Sequence, residues 1–138
     1  MKEHIIKTER TTNHIYLDEG DSSVPMVFLH GFSGSHKSWS EVVARLDTAR
    51  ISIDLPGHGR SRFNDLGLEY NVDIWSEEFN GILDSLEIDR IDLCGYSMGG
   101  RLAIGFAAKY PEKINKLILE SASFGIKEEK GREERLQK

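Results

Sequence analysis

Ile91-Asp92-Leu93-Cys94-Gly95-Tyr96-Ser97-Met98-Gly99-Gly100 decides the fold of this chain. Ile91 to Cys94 is an apolar run of strand length, a helix-like stretch begins at Gly100, and the junction reads G-x-S-x-G. At a strand-to-helix turn that pattern is a nucleophile elbow. Glycines flank the serine where the backbone crowds, and the Ser97 hydroxyl is left exposed at the start of the helix. A bare match is weak, because short Gly/Ser patterns arise by chance. The strand before it, the helix after it and a second motif upstream give it specificity.

Working outward, three further apolar runs read as strands: Met26 to His30, Arg50 to Asp54 and the β-branched Ile114 to Glu120. With Arg90 to Cys94 they make four, and the shorter, more polar His14 to Leu17 and Glu3 to Thr8 are a fifth and sixth. Between them, Trp39, Val42, Val43 and Leu46 share one helical face. Trp75, Phe79, Ile82, Leu83 and Leu86 share another, with Asp73 as the expected N-cap. In the helix after Ser97, small residues (Gly100, Ala103, Gly105, Ala107) permit close packing, and Tyr110-Pro111 ends it. Strands alternating with helices predict an α/β fold: a mostly parallel sheet with helices on both faces and ligands beyond the carboxyl ends of the strands.

The 138 residues are 38 % hydrophobic and 30 % charged, which fits one soluble globular domain. The net charge of −5 is spread along the chain and lacks the concentrated positive field of a nucleic-acid binder. Cys94 is the single cysteine, sits in an apolar run and reads as a small buried hydrophobe, in keeping with a cytoplasmic location. No signal-peptide stretch opens the sequence, and no apolar run is long enough for a membrane span. From Lys127 the sequence turns abruptly charged.

His30-Gly31-Phe32-Ser33-Gly34 follows the strand at Met26, so its N–H groups can point toward the same sheet edge as Ser97. The expected oxyanion hole combines the N–H of Met98, after the nucleophile, with that of Phe32 in this loop. Asp54-Leu55-Pro56-Gly57-His58-Gly59 is a second Gly/Pro-rich loop at a strand end, with His58 read as a local hydrogen-bonding residue. A serine nucleophile needs a base and an orienting acid, which follow it in this architecture. All five histidines precede Ser97 and no aspartate follows it. Glu120, at a strand end, either occupies a triad-acid position or anchors a loop by accepting backbone N–H bonds.

These motifs, with Arg101 after the double glycine, Leu117-Ile118-Leu119-Glu120-Ser121-Ala122-Ser123-Phe124-Gly125-Ile126 and the later Arg132 and Arg135, resemble the α/β-hydrolase superfamily. Within it, they are similar to the menaquinone-pathway synthases, from about Val24 onward. The resemblance implies a carbon–oxygen lyase. It would eliminate pyruvate from a succinyl-cyclohexene carboxylate by proton abstraction at a Ser-His-Asp triad, with no metal or organic cofactor. It implies Ser97 as the catalytic nucleophile and Arg101, Arg135, Tyr96 and His30 as contacts to a small carboxylated substrate. Guanidinium forks suit carboxylates because they donate two parallel hydrogen bonds. It further implies that residues 1–126 are the N-terminal part of the hydrolase core, incomplete at its C-terminal side, and that 127–138 begin a helical cap. The triad Asp and His are then expected from a C-terminal segment or a second chain. Two alternatives stay open: a carboxylesterase or thioesterase that acylates Ser97, and an inactive fragment or interaction module.

Overall fold

The computed structural model describes residues 1–20 and 23–122. One sheet organises them, with strands β1 (Lys2–Lys7), β2 (Thr11–Asp18), β3 (Met26–Leu29), β4 (Arg50–Ile53), β5 (Arg62–Phe63), β6 (Ile91–Tyr96) and β7 (Ile114–Glu120). The order is β1-β2-β4-β3-β6-β7, with the two-residue β5 paired to β2. β4, β3, β6 and β7 are mutually parallel, while β1 and β2 run antiparallel, so the sheet is mixed with a parallel centre. The register pairs Leu29 with both Ile53 and Gly95, and Tyr96 with Glu120. His30, Asp54 and Ser97 therefore emerge along one edge, just past the carboxyl ends of their strands.

Both faces are covered by helices. On one, α2 (Val72–Ser85) and α3 (Met98–Lys109) cover Val27, Leu29, Ile51, Ile53 and Leu93. Phe79 stacks on Trp75 at 4.9 Å between centroids and meets Phe106 edge-on at 4.8 Å. Fully burying a side chain such as Phe106, 0 % exposed, contributes about 2–3 kcal/mol. The helices approach closely at Gly105, where an added Cβ would lie 2.3 Å from Val72 Cγ1. On the other face Phe28, Val43 and Cys94 pack with Met26, Trp39 and Leu46. Burial pushes the Cys94 thiol up to about 11, so it stays a neutral apolar group.

Several expectations change in detail. The N-cap of α2 is Asn71, whose side chain accepts from Ile74 N at 2.8 Å; Asp73 lies in the first turn and pairs with Lys109 at 2.8 Å. The first helix is a 3-10 turn over His36–Trp39 continued by α1 (Ser40–Val43), and it stops short of Leu46. The Arg50 guanidinium takes its last carbonyl, Val43 O, and Leu46 O in the turn beyond it, and pairs with Asp18. β2 is longer than its sequence suggests because its buried polar residues find partners: Thr11 donates to Glu78 at 2.8 Å and His14 N to Ser61 Oγ at 2.8 Å. β7 pairs only with β6 among the described residues, and Leu117, Ile118 and Leu119 on it are exposed. The cap expected over 127–138 lies outside the described residues.

Candidate active site

The elbow forms as its sequence requires. Ser97 adopts φ 50° and ψ −110°, a conformation that costs a non-glycine residue on the order of 1–3 kcal/mol. Three contacts hold it there. Ser97 N donates to Glu120 O at 2.9 Å, continuing the β6–β7 ladder past its end. Ser97 O accepts from Arg101 N at 3.1 Å, the first bond of α3. Gly99 packs against the end of β3 so tightly that a Cβ would fall 2.4 Å from His30 O and 2.5 Å from Leu29 O.

The loop after β3 meets this turn. A Cβ on Gly31 would lie 2.8 Å from the Tyr96 ring and 3.5 Å from Ser97 Cβ, so the two loops touch with only hydrogen at that position. Gly34 N donates to Gly31 O at 3.0 Å, closing a turn in which Ser33 takes φ 65°. Phe32, beside Gly31, and Met98, beside Ser97, donate no backbone hydrogen bond among the described residues. Two unspent N–H donors on residues adjoining the Gly31–Ser97 contact are available to a bound ligand. A cleft of about 350 Å³ opens alongside, lined by Gly31, Phe32, Trp39, Val42, Tyr96 and Glu120 among others.

The loop is clamped from behind by residues that carry no site motif in the sequence. Asp54, 0 % exposed, accepts His36 N at 2.7 Å and the His36 ring Nδ1 at 2.9 Å on one oxygen. Its other oxygen accepts Arg60 N and the Tyr16 hydroxyl, each at 3.2 Å. Burial acts to raise this carboxyl's pKa, but the bonds from His36 and Arg60 outweigh it and hold it below its ordinary value. Tyr16 also stacks on the His36 ring at 3.6 Å. The phenol's pKa is pushed well up by desolvation and its acidic neighbours, so it remains a donor.

His30 is corrected. Expected at the substrate, it is 0 % exposed and both ring nitrogens are engaged, Nδ1 with Gly31 O at 2.7 Å and Nε2 accepting from Leu55 N at 3.0 Å. That pattern fixes a neutral ring protonated at Nδ1, and burial keeps its pKa below the usual histidine value. His30 therefore pins the 30–34 loop to the Asp54–Arg60 loop. Tyr96 does reach the cleft, with its ring over Gly31. Arg101 lies one turn into α3, exposed and without an ion-pair partner among the described residues. Arg135 falls outside the described residues. Glu120 anchors the elbow through its main-chain carbonyl; its carboxylate takes no hydrogen bond among the described residues. Val42, expected on a buried helix face, is 45 % exposed in the cleft wall.

Strand order, elbow and adjoining loop define the class: residues 24–135 match the alpha/beta hydrolase fold family, and the chain belongs to it. A Bacillus subtilis protein provisionally named 2-succinyl-6-hydroxy-2,4-cyclohexadiene-1-carboxylate synthase is 41 % identical over 121 residues, 86 % of this chain and 44 % of that protein. A 2-hydroxy-6-oxo-2,4-heptadienoate hydrolase of Pseudomonas putida is 36 % identical over 71 % of this chain and 37 % of its own. A solved hydrolase structure from Pseudomonas aeruginosa superimposes with a TM-score of 0.81 at 21 % identity, covering 98 % of this chain and 51 % of that one, a likeness of fold alone. The chain spans less than half the length of the curated relatives quoted. No helix among the described residues is long and apolar enough to cross a membrane.

Proposed function

We propose that this chain carries the nucleophile half of a menaquinone-pathway synthase, a lyase that eliminates pyruvate from a succinyl-cyclohexene carboxylate. The observation that carries the reading is Arg101. It is an unpaired guanidinium one turn beyond Ser97, on the helix whose first residue supplies an oxyanion donor. The 41 % identity to a relative with that synthase name supports the same choice. Ser97 serves as the reacting hydroxyl, the N–H groups of Phe32 and Met98 stabilise the developing oxyanion, and Tyr96 and Arg101 orient the carboxylated substrate. Arg135 takes the role of a second carboxylate contact.

No histidine or aspartate follows Ser97, so the base and acid are assigned to polypeptide outside these 138 residues. Proton abstraction awaits that part; recognition of carboxylates does not. The hydrolase name of the Pseudomonas putida relative favours a second reading, in which Ser97 is acylated by a carbonyl substrate.

Binding separates the two without requiring turnover. Succinate titrated into this chain should bind about five- to tenfold more weakly to Arg101→Ala, the lower end of a charge-assisted bidentate contact at an exposed site. Labelling of Ser97 by a neutral fluorophosphonate, slow in a chain that lacks the base, should be equally slow in both proteins. Unchanged succinate affinity would remove the reason for preferring a carboxylate lyase over an esterase.

A further inference from the structure

The cleft that adjoins Ser97 through Gly31 and Tyr96, without Ser97 itself in its lining, includes an acidic residue, of the wrong sign for a carboxylate ligand. Its walls are Phe32, Trp39, Val42 and Tyr96, and its only ionisable side chain among the described residues besides Tyr96 is Glu120. The main chain of that residue is set by the sheet: Glu120 pairs with Tyr96 across β6 and β7, and its carbonyl receives Ser97 N at 2.9 Å. The carboxylate itself has no cation or hydrogen-bond donor among the described residues. Arg101, the cation of this neighbourhood, does not line the cleft and leaves the elbow on α3.

From this separation of charge we infer that Glu120 is a specificity-determining residue. It reserves the Phe32–Trp39–Val42–Tyr96 cleft for an uncharged, hydroxyl-bearing ring portion of the ligand and excludes carboxylates from it. The inference rests on Ser97 being the reaction centre and assigns orientation within that site. A ring of six carbons fits a volume of about 350 Å³, the aromatic and aliphatic walls suit its apolar face, and an unpaired carboxylate accepts from a ring hydroxyl. A ligand carboxylate in the same place would meet Glu120 with nothing between them to neutralise either. Its charged groups are thereby directed to the Arg101 side.

The test uses the whole 138-residue chain and two small probes, trans-1,2-cyclohexanediol and cyclohexanecarboxylate, followed by amide and indole shifts in two-dimensional NMR at low ionic strength. The diol should move the Phe32, Tyr96 and Glu120 amides and the Trp39 indole saturably, and should bind there about tenfold more tightly than the carboxylate. Glu120→Gln should bring the two affinities within about twofold by strengthening carboxylate binding. Half-molar salt should narrow the gap in the unaltered protein, which serves as a check free of any substitution. Equal affinities in the unaltered chain, a gap that survives both Glu120→Gln and salt, or no saturable shift with the diol would each overturn the assignment. Because no turnover enters, failure here is distinct from failure of the lyase reading, which Arg101→Ala decides.

Discussion

Asp54→Asn probes whether the loop after β3 is held by the clamp behind it. The substitution keeps the volume of a side chain that is 0 % exposed and changes only charge and hydrogen-bond sense. One carboxylate oxygen receives two donors from His36 and the other receives Arg60 N and the Tyr16 hydroxyl. An amide has one oxygen, so whichever way it is turned its NH2 faces at least one backbone N–H. Placing the NH2 toward Tyr16 and Arg60 is the less costly choice, because the phenol can rotate to accept; Arg60 N then loses its bond. A buried donor left unsatisfied costs about 1–3 kcal/mol, and replacing charge-assisted bonds with neutral ones adds about 1 kcal/mol. The expected loss is about 2–4 kcal/mol near neutral pH. With a urea m-value of about 2 kcal/mol per molar, the midpoint should fall by about 1–2 M at unchanged m. The pH dependence supplies an internal control. Asp54 titrates below its ordinary 3.8 in the fold, so its contribution is complete above that pH and is lost as pH falls through the lower folded value. The stability gap between the two proteins should therefore shrink on acidification through this window. A gap under about 0.5 kcal/mol at neutral pH, or one that persists at low pH, would refute the clamp.

Two glycines should respond in opposite directions. Gly81→Ala, in the interior of α2 with nothing within 4 Å of the new methyl, should raise unfolding free energy by about 0.5–1 kcal/mol. Gly99→Ala, which drives a methyl into the carbonyls of Leu29 and His30, should lower it by about 3 kcal/mol or more. Denaturant melts of both variants check the pair. His30 gives a separate acid response: it resists protonation in the fold while the unfolded ring protonates below 6.5, so stability should decline as pH falls from there toward the folded value. His30→Gln should flatten that part of the stability–pH curve.

What the sequence disclosed follows from how far apart the causes lie along the chain. The elbow was legible because its constraints are local: a strand, a strained serine and glycines within five residues. The contact of Gly31 with Tyr96 and Ser97 was also inferable, since both loops follow parallel strands and parallel strands deliver their ends to one edge. The clamp was not. His30 looked like a substrate contact in the sequence, and only the pairing of Leu29 with Ile53 sets it beside the Asp54 loop, where Leu55 N occupies its free nitrogen. His36 gave no signal as Asp54's partner because eighteen residues separate them. The polar β2 looks short in the sequence because periodicity cannot see that Glu78 and Ser61 satisfy its buried groups.

The same distinction governs the electrostatics of the cleft. Arg101 sits four residues from Ser97, so its helical placement near the nucleophile can be counted off along the chain. Glu120 is far from Ser97 in sequence, and its strand-end position alone allows either a catalytic or a loop-anchoring role for its side chain. The β6–β7 register supplies a different result: the main chain of Glu120 does the anchoring, and its carboxylate, on a residue that lines the cleft, takes no hydrogen bond among the described residues. A positive charge on the helix side of the nucleophile and a negative one on the strand side together give the site a polarity that neither motif carries. A ligand with one charged and one neutral end can enter that field in only one favourable orientation.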